Sequence, residues 1–140
     1  NSKTMKELLE NIKRNGNGNG RGEAFLEKEK PLLIKDALFV RQEGTLVKVK
    51  YEDILWLKGD GNYTTLVTRN FVISVRNILK DFEDALPKDQ FMRVHKSYMV
   101  RLDEISVIST REVKIEEDMV PVGRTYYQRL IDGIQRLSSE

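Results

Sequence analysis

After Pro31 the apolar residues fall in short runs, many with a polar residue at every second position and most bounded by turn-forming residues. Ala37–Gln42 and Thr45–Lys50 flank Glu43-Gly44, a hairpin signal. Tyr51-Glu-Asp-Ile54 reads as one turn leading into a strand over 54–57, with a loop over Lys58–Asn62. Further strands are predicted over 63–68, 71–75, 91–94, 98–101, 105–109, 112–115 and 119–122. Two segments change to helical spacing. Residues 77–86 carry Ile78, Leu79, Phe82, Ala85 and Leu86 on one side and stop at Pro87. Residues 125–137 carry Tyr127, Leu130, Ile131, Ile134 and Leu137, with Thr125 as the expected N-cap. Strands dominate without βαβ alternation, which argues against a parallel doubly wound sheet. The expected fold is mainly β, with one short internal helix and a C-terminal helix.

The first 30 residues have a different texture. Met5, Leu8, Leu9 and Ile12 form one apolar stripe over 4–14, and Thr4-Met-Lys-Glu7 fits a capping box. A helix this short needs something to pack on. Asn15–Gly22 alternates Asn or Arg with Gly, too costly in backbone entropy to fold alone. The expected organisation is therefore a helix over 1–14, a flexible linker over 15–30 and one domain over 31–140. The Gly run is not a phosphate loop, because no GxGxxG register fits and no Gly-Lys-Ser/Thr follows.

Composition narrows the chemistry. The chain has 140 residues, no Cys and one His, which excludes disulfide scaffolds, thiol nucleophiles and His-rich metal cages. With no signal peptide and no apolar run of membrane-spanning length, a cytoplasmic domain without a membrane partner is expected. Net charge is +2, carried by 7 basic and 5 acidic residues in 1–30, against 17 of each in 31–140. Bulk charge thus gives no support for nucleic-acid binding, but charge is clustered. Arg93–Arg101 holds three Lys or Arg and no acid, and 119–131 adds Arg124 and Arg129, while acids gather at 81–89 and 112–118.

Candidate catalytic sets are thin. A Ser97–His95–Asp103 arrangement lacks any nucleophile turn, and Asp60-Gly-Asn62 lacks the spaced oxygens and closing Glu of a calcium loop. An enzyme is not expected, and no cofactor is implied. What remains is a set of polar loops: Asn62 and Tyr63 after a Gly-rich loop, Lys96 and Ser97 after a strand end, Arg124 and Thr125 at a helix entry. Such residues neutralise phosphate or bond base edges; the same residues also occur as plain solvated loops.

Three segments together carry a resemblance. Tyr51-Glu-Asp-Ile-Leu-Trp-Leu-Lys-Gly-Asp-Gly-Asn-Tyr63, Phe91-Met-Arg-Val-His-Lys-Ser-Tyr-Met-Val-Arg101 and Val120-Pro-Val-Gly-Arg-Thr-Tyr126 resemble, in this order, motifs of the LytTR family of bacterial DNA-binding domains. The likeness covers about residues 32–137. It implies an elongated arrangement of small antiparallel β-sheets whose loops enter successive major grooves of double-stranded DNA. Carried over, Tyr63 or its neighbour Asn62, Lys96 and Arg124 face base edges. Ser97, Gly123 and Thr125 serve phosphates through hydroxyl or backbone N–H, and His95 supports its loop.

This chain departs from the family pattern at Lys58-Gly59 (often Glu-Ala), at Gly123 (usually Ser) and at Arg101 (Asn), where the added charge is expected to strengthen sequence-independent affinity. The resemblance further implies a two-component response regulator with an upstream receiver domain, and two copies of the domain on promoter repeats, as a homodimer on DNA. The opening Asn1 in place of Met leads to the expectation of a fragment or processed chain. The stripe of 4–14 then has three partners open to it: a second copy, the receiver, or this domain. The competing functional class is a β-rich protein-interaction module without DNA binding. DNA binding requires Lys96, Arg124 and the 59–63 loop on one face, with the acidic clusters turned away.

Overall fold

Tight turns set the strand registers. In the computed structural model, which describes residues 31–138, strand β1 (Leu32–Ile34) pairs with β2 (Ala37–Gln42), and β2 with β3 (Thr45–Lys50). Glu43 and Gly44 close the second hairpin with φ of 51° and 83°. Two central residues with positive φ match the right-handed twist of the flanking strands. The helix expected over 4–14 and the linker over 15–30 lie outside the described residues.

A one-turn helix at Tyr51–Asp53 leads into β4 (Ile54–Asp60), which pairs with β5 (Tyr63–Thr68), and β5 pairs with β6 (Val72–Val75). The loop expected from Lys58 is strand instead. Lys58 is paired on both sides, with Thr65 and with Tyr98, so the turn shrinks to Gly61-Asn62. Helix α1 (Leu79–Ala85) then crosses to the other edge. It starts two residues later than the predicted 77–86 span: the Asn77 carbonyl accepts the Thr64 hydroxyl at 2.7 Å, and Ile78 is extended at the N-cap position. It stops before Pro87, where the preceding residue is driven out of the helical region.

Strands β7 (Phe91–His95) and β8 (Tyr98–Arg101) complete a five-stranded antiparallel sheet of order β6-β5-β4-β8-β7. Strands β9 (Ile105–Ile108), β10 (Glu112–Ile115) and β11 (Asp118–Pro121) form a second three-stranded meander, and α2 (Tyr127–Ser138) ends the described chain. The described residues are thus mainly β, three antiparallel sheets and two helices, as the pattern implies. The short Leu32–Ile34 strand is the one the pattern does not flag. Its three residues are all exposed, leaving no alternation to detect.

The five-stranded sheet lies between two apolar clusters. One face packs Ile54, Leu57, Leu66, Phe91 and Met99 with Leu38, Val40 and Val49 of the first sheet and Leu79 and Phe82 of α1. The other packs Leu55, Val94 and Val100 with Val113, Ile115 and Val120 of the last sheet and Leu130 of α2. Burial on both faces explains the unbroken apolar run Ile54–Leu57. A bulge at Leu55 lets Leu55 and Trp56 serve the second cluster in succession. Gly133 lets α2 lie against Met92 of β7, since a Cβ there would meet the Met92 methyl at 2.3 Å.

Candidate nucleic-acid interface

The β7–β8 turn occupies the centre of the candidate surface. The register of β7 shifts between Arg93 and His95, and the ladder closes on His95 paired with Tyr98, which flank the Lys96-Ser97 turn. Further hydrogen bonds fix the turn. The Ser97 N–H donates to His95 Nδ1 at 3.0 Å, and the Gly59 N–H donates to the Ser97 carbonyl at 2.8 Å. Arg93 donates from Nε to the His95 carbonyl at 3.2 Å and from a terminal nitrogen to the Lys96 carbonyl. The His95 ring stands edge-on to Tyr98, centroids 5.4 Å apart, and Lys58 Nζ lies 6.0 Å from the Tyr98 centroid. Lys96 is exposed and, among the described residues, forms no ion pair.

The third segment meets the same turn from the other side. The Gly123 N–H donates to the Val94 carbonyl at 2.7 Å. A Cβ on Gly123 would stand 2.9 Å from Tyr126 Cδ2 and 3.6 Å from His95 Cα. Glycine therefore permits the tyrosine ring and the β7 end to close on this segment. Arg124 and Thr125 follow, both exposed, and Arg129 packs over the Tyr126 ring at 5.1 Å. The helix proper starts later than Thr125: the Leu130 N–H bonds the Tyr126 carbonyl, so Tyr126 takes the N-cap position. Thr125 is left in the turn before it.

The β4–β5 hairpin completes the row. Asp60 pairs with Tyr63 across the Gly61-Asn62 turn, and Asn62 and Tyr63 are exposed. On the far side of Tyr63, Arg76 stacks on the ring at 5.6 Å and donates to its hydroxyl at 3.2 Å. Across this end of the sheet the chain thus presents Arg76, Tyr63, Asp60, the Lys96-Ser97 turn and Gly123-Arg124. From β6 to β7, four steps at the usual strand spacing make this row about 20 Å wide, with Gly123-Arg124 beside its β7 end.

Two backbone hydrogen bonds, Gly59 to Ser97 and Gly123 to Val94, bring the three predicted loops together at one end of the central sheet. Three expectations need correction. The N–H groups of Ser97 and Gly123 are committed within the protein, which leaves Ser97 its hydroxyl and gives Gly123 a shaping role. Arg101, expected to add surface charge, is at the opposite end, bonded to Glu104 at 3.0 Å with only 12% of its side chain exposed. The acids of 81–89 are not all turned away either, because Glu83 of α1 pairs with Arg93 at 2.9 Å directly behind the turn.

The opposite end is where the ion pairs concentrate. Arg69 bonds Glu104 and also Glu116, at 3.3 Å for the latter. The hydrogen bond to Glu104 raises the Arg69 pKa further above its ordinary value, with the nearby Glu116 and Asp53 charges adding to it and desolvation opposing. Asp103 is drawn to Arg101 there, so Ser97, His95 and Asp103 are not assembled. Among the described residues no group of three or more His, Cys, Asp or Glu is placed to hold a metal ion, and no helix is long and apolar enough to cross a membrane.

Comparison with known proteins settles the family. Residues 44–134 match the LytTr DNA-binding domain. The chain belongs to this family.

Membership makes it a DNA-binding domain of the kind carried by transcriptional regulators; the family is not one of enzymes. The chain is 34% identical over 95 residues to the sensory transduction protein LytT of Bacillus anthracis, covering 63% of this chain and 38% of LytT. It is 32% identical over 84 residues to the CO-responsive transcriptional regulator RcoM of Rhodospirillum rubrum, 55% of this chain and 36% of RcoM. Against the transcriptional regulatory protein NatR of Bacillus subtilis the figures are 24% over 85 residues, 61% and 36%. The chain therefore spans little more than a third of the length of these curated relatives. A solved LytTr DNA-binding domain from Bacillus cereus superposes with a TM-score of 0.64 at 20% identity, over 72% of this chain and 98% of that one. That likeness establishes the fold.

Lys58 and Arg76 join this surface through the pairing of β4 with β8 and of β5 with β6, which no local pattern marks, and Arg93 stands out in the sequence only as one charge of the 93–101 cluster.

Proposed function

We propose that residues 31–140 bind double-stranded DNA sequence-specifically, through turns entering the major groove, as the cytoplasmic output domain of a bacterial two-component response regulator. The observation that carries this reading is the joining of three donor-bearing loops on one sheet end by two backbone hydrogen bonds, with the ion-paired carboxylates Glu104 and Glu116 at the other end. A row about 20 Å wide exceeds the roughly 12 Å of one major groove, so it reaches base edges and flanking phosphates together. In this reading Lys96, Arg124 and Tyr63 or Asn62 face base edges. Ser97 and Thr125 hydroxyls meet phosphate, and Gly123 admits the close approach of Tyr126 and His95. An upstream receiver domain controls pairing of two copies on promoter repeats.

The test is fluorescence anisotropy with a duplex selected from a random pool and with the random pool itself, over about 50–300 mM salt. Tight, selectable binding that weakens steeply with salt is the expected result. Arg124→Ala should then weaken the selected duplex by about 1–3 kcal/mol and relax preference at one position. Equal loss on every sequence makes Arg124 a phosphate contact only. No binding at low salt, even for a covalently linked dimer, overturns the reading in favour of a protein-interaction module.

A further inference from the structure

Arg93 is the least expected residue at this surface. Its side chain is only 19% exposed, yet all three of its donor nitrogens are used at the β7–β8 turn or directly behind it. Nε and one terminal nitrogen bond the consecutive carbonyls of His95 and Lys96, and the other terminal nitrogen bonds Glu83 at 2.9 Å. The register shift between Arg93 and His95 leaves those carbonyls at the margin of the β7–β8 ladder. A planar guanidinium supplies two fixed, near-parallel donors for such a pair of acceptors, which an ammonium group does not.

The consequence lies one residue away. With its own carbonyl and that of His95 held by Arg93, the Ser97 N–H held by His95 and the Ser97 carbonyl held by Gly59, the backbone on both sides of Lys96 is pinned. The exposed Lys96 side chain leaves from that pinned backbone. Glu83 balances the Arg93 charge and ties the clamp to α1, whose Leu79 and Phe82 are buried in the first core. An arginine so neutralised contributes direction and little attraction to phosphate.

We propose that Arg93, held by Glu83, is a positioning residue that aims Lys96 and Ser97, and so sets discrimination between DNA sequences more than affinity for DNA. The proposal rests on the DNA-binding reading above. It is tested in the whole chain with Arg93→Lys and Glu83→Gln, measuring affinity for the selected and the randomised duplex across salt. Arg93→Lys keeps the charge and loses the fork. It should cut the ratio of the two affinities by roughly tenfold, the scale of one misread base pair, with randomised-duplex affinity and salt slope unchanged. Glu83→Gln leaves the fork but unbalances its charge, so the randomised duplex should bind more tightly while the ratio falls.

An unchanged ratio in both variants overturns the proposal. So does a slope reduced by about one unit in Arg93→Met, because Arg93 would then be touching phosphate itself. If Arg93→Lys fails to fold, the ratio in Glu83→Gln alone decides. A wild-type chain that binds neither duplex removes the DNA-binding reading and the proposal with it. Wild-type binding with indifferent variants removes the proposal alone.

Discussion

Gly59→Ala offers a sharp test of how the candidate surface is joined to the core. A Cβ at position 59 would stand 2.9 Å from Leu79 Cβ and 3.4 Å from Leu79 Cδ2. Carbon atoms prefer a separation of about 3.5–4.0 Å, so the two backbones must part by roughly 0.6–1 Å. Rotamer changes cannot relieve a contact between two Cβ atoms. Helix α1 must shift, and Leu79, Phe82 and Leu86 bury it at 4%, 0% and 3% exposure. Overpacking of this kind costs about 1–3 kcal/mol. Loss of glycine's freedom in the unfolded chain offsets about 0.4–1 kcal/mol of that. A net destabilisation of about 1–2 kcal/mol is expected, lowering Tm by roughly 5–15 °C for a domain of this size.

The assay is urea unfolding followed by the fluorescence of Trp56, the single tryptophan, which is half-buried against the second core. The midpoint should fall with an unchanged slope. Gly61→Ala is the companion variant. It meets no atom within 4 Å but sits at φ 62°, so its cost is backbone strain of about 1 kcal/mol and α1 stays in place. A Gly59→Ala protein as stable as wild type, or more so, refutes the close packing of β4 on α1.

Lys96→Ala should reduce the slope of log affinity against log salt by about one unit if the side chain neutralises a phosphate; an unchanged slope on a weakened selected duplex assigns it to base readout. Glu104→Gln withdraws the carboxylate that Arg101 and Arg69 share. A loss of about 1–3 kcal/mol by urea unfolding is expected, with DNA affinity unchanged because the pair lies at the opposite end of the sheet. Leu130→Ala truncates a fully buried side chain of the second core and should cost about 2–5 kcal/mol; a smaller loss by the same method would mean that α2 contributes little to that core.

Much of the fold is legible in the chain because local chemistry dictates it. Glu43-Gly44 calls for a two-residue hairpin, Pro87 stops a helix, and Leu130 and Ile134 mark the face that α2 buries. Errors fall where a partner overrides the local pattern. Lys58-Gly59-Asp60 reads as loop because it is polar and Gly-rich, yet pairing with β5 and β8 makes it strand. Ile78 fits the helical stripe, but it is extended at the N-cap position, next to the Asn77 carbonyl that the Thr64 hydroxyl ties down. Asp103 and Arg101 stand close to the Lys96-Ser97 turn in the chain, and the length of β8 carries them to the far end.

The sequence by itself determined most element types, the mainly β class and the family, and it marked Asn62, Tyr63, Lys96, Ser97, Arg124 and Thr125 as polar residues of loops, since these follow from periodicity, turn chemistry and local motifs. Only the tertiary structure decided which backbone N–H groups are already spent and which arginines face solvent. It alone revealed that Glu83, ten residues before Arg93, stands behind the turn as its counter-charge. The physical reason is the same in each case. Hydrogen bonds and ion pairs between strands distant in sequence depend on register and on packing across the sheet, and neither leaves a mark in the local order of residues.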